Sequence, residues 1–143
     1  MQTVSKAGVE FIKALEGYRE QPYFCAGGRL TVGYGTTKGV SQDSKVTQEE
    51  AERLLIRDLK DVESVLNEYV SVSLSQNQFD ALASFVYNVG RYAFRSSSLL
   101  KWLNTGRYDR ISSELRRWVH AKGRVIKGLE KRRQKEAELF CKK

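Results

Sequence analysis

Apolar residues recur along this chain with two different periods, and the change of period divides it. Gly8, Phe11, Ile12 and Leu15 stand at i, i+3, i+4 and i+7, one face of a 3.6-residue repeat, and predict a helix over about residues 6–16. Ser5 is placed to cap its start and Gly17 to end it. Between Tyr23 and Tyr34 the period falls to two. Leu30, Val32 and Tyr34 alternate with Arg29, Thr31 and Gly33, which is strand spacing. Ala26-Gly27-Gly28 separates this run from residues 21–25 and reads as a hairpin turn. Gly33 and Gly35 mark close backbone approaches or a sharp bend, and residues 36–46 are polar and irregular.

From residue 47 the pattern is helical. Thr47-Gln48-Glu49-Glu50 is a capping box, followed by a stripe of Ala51, Leu54, Leu55, Leu59, Val62 and Leu66. This helix would span ~30 Å, the width of a small domain. A second capping box, Ser75-Gln76-Asn77-Gln78, opens a helix to about residue 88, with Phe79, Leu82, Ala83, Val86 and Val89 facing inward. Shorter helices are predicted over about 97–103, 107–119 and 129–140. The expected architecture is α+β in a single domain, residues 1–143. It comprises an N-terminal helix and small β lobe over 5–46, a long connecting helix over 47–68 and a helical lobe over 69–143, with a cleft where the lobes meet.

Composition adds bounds. A chain of 143 residues with 41% apolar content can bury one core. No apolar run approaches the ~18 residues of a membrane span, and the N-terminus has no hydrophobic signal region. Cys25 and Cys141 make no disulfide framework and read as reduced thiols. The net charge of +8 is uneven: residues 1–100 hold 11 Lys/Arg against 12 Asp/Glu, whereas residues 101–143 hold 14 against 5. A basic C-terminal region favours an anionic partner, whether nucleic acid, membrane surface or bacterial envelope. Arg132, Arg133 and Lys135 on the last helix read as a solvated basic face, and no nucleic-acid-binding motif accompanies them.

Three residues carry candidate chemistry. Glu16 closes the first helix, where the negative end of the macrodipole, worth ~0.3–1 kcal/mol, disfavours ionisation. Burial beside Phe11, Leu15 or Tyr18 would act the same way. A carboxyl that keeps its proton near neutrality is what a general acid requires, although a surface Glu ending a helix fits the same pattern. With a turn at 26–28, Cys25 pairs with Arg29 and Tyr23 with Thr31, so Cys25 and Thr31 share one face ~7–8 Å apart at Cα. A two-residue turn would separate them. On one face they can hold a water between thiol and hydroxyl. The single histidine, His120, stands beside Trp118 on an amphipathic helix and reads as a surface or cleft-edge residue.

Together these residues stand as E-x8-C-x5-T within Leu15-Glu16-Gly17-Tyr18-Arg19 and Leu30-Thr31-Val32-Gly33-Tyr34-Gly35. Asp80-Ala81-Leu82, Ser84-Phe85-Val86-Tyr87-Asn88-Val89-Gly90, Arg117-Trp118 and Gly128-Leu129-Glu130-Lys131-Arg132-Arg133 follow in order. The whole set closely resembles the phage lysozyme family, glycoside hydrolase family 24, whose active sites read Glu, then Asp or Cys, then Thr. The resemblance implies a two-lobed lysozyme fold and inverting hydrolysis of β-1,4 bonds between N-acetylmuramic acid and N-acetylglucosamine in peptidoglycan, with no metal or cofactor. Glu16 would protonate the leaving oxygen, Cys25 would stand where many relatives have Asp, and Thr31 would orient the attacking water. Tyr87 and Asn88 are the candidate sugar contacts. Thr36 replaces a His common in relatives, a change expected to bear on stability.

A lytic transglycosylase and a non-catalytic envelope-binding module are the alternatives. The expected partners are the glycan strands and, through the basic C-terminal region, an anionic envelope. Nucleic acid binding, stable membrane insertion and oligomerisation are not expected. The expected route is synthesis in a host cytoplasm and action on the periplasmic wall after release.

Overall fold

The computed structural model describes residues 1–25 and 27–143, so Ala26, one member of the predicted turn, lies outside the described residues. In chain order the elements are α1 (Lys6–Glu16), β1 (Arg19–Phe24), β2 (Leu30–Gly33), α2 (Gln48–Tyr69), α3 (Gln76–Val89), α4 (Arg91–Arg95) and α5 (Ser98–Asn104). A 3-10 turn at Tyr108–Arg110, α6 (Ile111–Leu115), β3 (His120–Ala121), β4 (Arg124–Val125) and α7 (Lys127–Cys141) complete the chain. The fold is α+β, with two small antiparallel hairpins among helices.

The capping signals are realised. The Ser5 hydroxyl accepts the Gly8 N–H at 3.0 Å and donates to the buried Asp80 carboxylate on α3, which also accepts the Ser5 N–H at 3.0 Å. A Cβ on Gly8 would meet Asp80 Cγ at 2.5 Å, so only glycine lets α1 lie this close to α3. The start of α1 is thereby tied to the core, and Gly17 (φ 72) ends the helix immediately after Glu16. Both halves of the Thr47/Glu50 and Ser75/Gln78 capping boxes form.

Helix α3 is the central element, buried at every position from Phe79 to Val86 and packed against α1, α2 and α7. Phe79, Phe85 and Phe94 are fully buried, each worth ~1.5–3 kcal/mol in apolar transfer. In the first hairpin Tyr23 pairs with Thr31 and Phe24 with Leu30, and the Cys25 N–H reaches the Arg29 carbonyl at 2.9 Å. That is the register expected from a turn at 26–28.

Three expectations are corrected. The helix predicted over 107–119 is broken into the 3-10 turn and α6. After α6, Trp118 turns inward to meet Phe85 edge-on at 5.4 Å. The chain then reverses through Lys122 (φ 52) and Gly123 (φ 76), two left-handed residues that suit a tight hairpin turn. His120 consequently lies exposed on β3, not on a helix. Arg132 and Arg133 are not solvated: they are 7% and 1% exposed, leaving Lys135 as the exposed member of that trio. They share the inward face of α7 with Glu136, Ala137 and Phe140, and ion pairing lets charged side chains occupy core positions.

Candidate active site

Between the first hairpin, the end of α1, α2 and the α3–α4 junction lies a cleft of about 660 Å³. Glu16, Cys25, Thr31, Tyr87 and Asn88 all line it. Residues far apart in sequence meet here because α1 delivers Glu16 at its C-terminus, the hairpin supplies Cys25 and Thr31, and α3 ends in Tyr87 and Asn88.

Glu16 is paired with a counter-charge that the sequence reading did not include. Its Oε2 accepts a hydrogen bond from Arg132 Nη1 at 2.6 Å, and the pair is largely shielded, at 15% and 8% side-chain exposure. Its Oε1 lies beside Gly35, where a Cβ would come within 2.8 Å of that oxygen and 3.1 Å of the Tyr87 hydroxyl. Gly35 also has φ +97, so the position demands glycine on two independent grounds. Arg132 was missed as a site residue because a basic helix face and a buried pair look alike in composition. The available signal was Arg132-Arg133 followed by Glu136 at i+4 and i+3.

Cys25 is half-buried and Thr31 buried. Burial pushes the Cys25 thiol up, but hydrogen bonding from the Arg29 backbone, the Thr31 hydroxyl and the Gly27 backbone outweighs it, leaving the thiol below its ordinary value. The Thr31 hydroxyl has one proton, which in this structure goes to the Arg29 carbonyl at 2.8 Å. Donation to a Cys25 thiolate therefore requires that hydroxyl to rotate, and the two arrangements exclude each other.

The Tyr87 hydroxyl donates to the Tyr34 carbonyl at 2.9 Å, and burial, with Glu16 nearby, pushes its ionisation far up. Its polar end is thus engaged in the cleft wall. Asn88 is exposed, and its Oδ1 accepts from Arg133 Nη2, so that its amide NH2, without a partner among the described residues, can serve the cleft. Thr36, 1% exposed, bridges Val32 through its backbone and donates to Asp58 Oδ2 at 2.9 Å, tying the β lobe to α2.

The phage lysozyme family model matches residues 13–136. The chain is 43% identical over 141 residues to the endolysin of Acyrthosiphon pisum secondary endosymbiont phage 1, covering 96% of this chain and 97% of that one. It is 42% identical over 140 residues to the endolysin of Bacillus phage PZA, of which it spans 54%, about half the length. Among solved structures, the muramidase domain of SpmX from Asticaccaulis excentricus aligns over 100% of both chains at 37% identity, with a TM-score of 0.92. A lysozyme fold and this extent of matching lead to one assignment: the chain belongs to the phage lysozyme family.

Proposed function

We propose that this protein is a peptidoglycan-lysing muramidase that serves host-cell lysis, cleaving the β-1,4 bond between N-acetylmuramic acid and N-acetylglucosamine as an inverting glycoside hydrolase of family 24. The observation that carries this reading is the meeting of Glu16, Cys25, Thr31, Tyr87 and Asn88 in one cleft of about 660 Å³. Glu16 acts as general acid on the bridging oxygen. Thr31, with its own proton committed to Arg29, offers oxygen lone pairs to a water proton, and Cys25 offers its sulfur to the other. A water pinned in this way attacks the anomeric carbon on the face opposite the leaving group: its oxygen bonds to that carbon as the glycosidic bond breaks, its proton passes to the Cys25 sulfur as thiolate, and the Glu16 proton goes to the departing oxygen. The Asn88 amide donates to a sugar hydroxyl, and the Tyr87 ring forms part of the sugar-facing wall.

Product analysis on purified peptidoglycan tests the reaction directly. New reducing ends are expected; anhydro ends would mark a transglycosylase, and no release would mark a binding module. Glu16→Gln is expected to cut the rate by roughly 10²–10⁴ while keeping the fold, as loss of a general acid does. Full activity in that variant removes Glu16 from the chemistry.

A further inference from the structure

Glu136 on α7 is 0% exposed and does not line the cleft, yet each of its oxygens is linked through one arginine to a residue that does. Oε2 accepts from the Ser84 hydroxyl at 2.5 Å and from Arg132 Nε at 3.2 Å, while Oε1 accepts from Arg133 Nη1. Each arginine reaches onward with its remaining donors. Arg132 donates to Glu16 Oε2 at 2.6 Å and to the Ser84 carbonyl at 3.1 Å. Arg133 donates to the Trp118 carbonyl at 2.9 Å and to Asn88 Oδ1. Two carboxylates and two guanidiniums thus form one chain, from the α1 terminus through the core of α7 to the end of α3.

The direction of these bonds matters because a guanidinium donates and never accepts. With Arg132 on Oε2, the proton that Glu16 transfers must sit on Oε1, the oxygen beside Gly35. With Arg133 on Oδ1, Asn88 must present its NH2 rather than its carbonyl. Burying a carboxylate this deeply carries a large desolvation cost, which only saturated hydrogen bonding offsets. Glu136 meets that condition, and each guanidinium it orients fixes one functional side chain.

We propose that Glu136 is a positioning residue for both halves of the site, setting the proton-bearing oxygen of Glu16 through Arg132 and the amide orientation of Asn88 through Arg133. The proposal rests on the reading of Glu16 as the acid and Asn88 as a sugar contact.

The test measures kcat and KM separately on soluble, uncrosslinked glycan strands, with Tm in parallel, for Arg132→Lys, Arg133→Lys and Glu136→Gln. Phe140→Leu, a packing loss on the same helix, is the control and should lower Tm alone. Arg132→Lys keeps the charge and loses the fork, and should lower kcat by roughly ten- to a hundredfold with KM little changed. Arg133→Lys should raise KM several-fold with kcat little changed, and Glu136→Gln should show both effects. If Glu136→Gln does not fold, the two lysine variants decide. Lysine variants that behave like the Phe140 control, or that lose kcat and KM together without a split, overturn the proposal. Wild-type protein that cleaves no glycan overturns the muramidase reading itself, before any variant is compared.

Discussion

At the scale of single residues, close approach controls the site more than residue type does. Gly35→Ala would force a Cβ against the Glu16 carboxyl from a left-handed backbone. It is expected to destabilise by ~1–3 kcal/mol and to lower activity, read by denaturant unfolding and turbidity clearance. Cys25 supplies a pH-dependent test. Its thiol is held below the ordinary value, so the thiolate is the populated form from a lower pH upward. Alkylation of Cys25 by iodoacetamide should therefore reach half its limiting rate at a lower pH than an unperturbed thiol does, and Thr31→Val should move that midpoint up. Alkylated protein should be inactive and Cys141→Ser fully active. Cys25→Asp should retain lysis. Loss of lysis on alkylating Cys141 alone would point away from Cys25.

At the scale of elements, position is set by how helices begin and end. Asp80 on α3 takes both Ser5 donors and the Gln76 amide, fixing the entry of α1, whose exit carries Glu16. Asp80→Ala leaves those donors without a buried partner and should cost ~1–3 kcal/mol. Because the same contact aims α1, kcat should fall as well. The Thr47 cap provides the contrast: Thr47→Ala should cost about 1 kcal/mol, or ~2–4 °C in Tm, without affecting catalysis. Thermal melts paired with glycan cleavage separate the two. This layer was largely legible in sequence, because Ser5, Thr47-x-x-Glu50 and Ser75-x-x-Gln78 act through neighbours within one turn. Where a distant partner intervened, as Phe85 does with Trp118, local pattern gave a helix that the chain does not make.

For the whole molecule, the 14 basic against 5 acidic residues beyond residue 100 give that stretch a strongly positive net charge. Arg132 and Arg133 are withdrawn into ion pairs, so the proposed electrostatic attraction to an anionic envelope should rest on exposed cations such as Lys127, Lys131 and Lys135. Lys→Glu at those three positions should weaken sedimentation with isolated envelopes. Raising salt from ~0.01 to ~0.15 M should do the same, as the screening length falls from ~30 to ~8 Å. Hydrolysis of short soluble glycans should change little. Binding that ignores both charge and salt would exclude an electrostatic origin.

The amino-acid order alone determined most of the periodic elements, their caps and the family resemblance. These depend on spacing over a few residues or on ordered motifs, both of which one dimension records. Tertiary structure decided that Glu16 is held by Arg132, that two arginines of a basic helix lie inside, and that Glu136 joins Glu16 to Asn88. A charged side chain looks the same in sequence whether water or a buried counter-charge solvates it, and only the folded chain brings that counter-charge within reach.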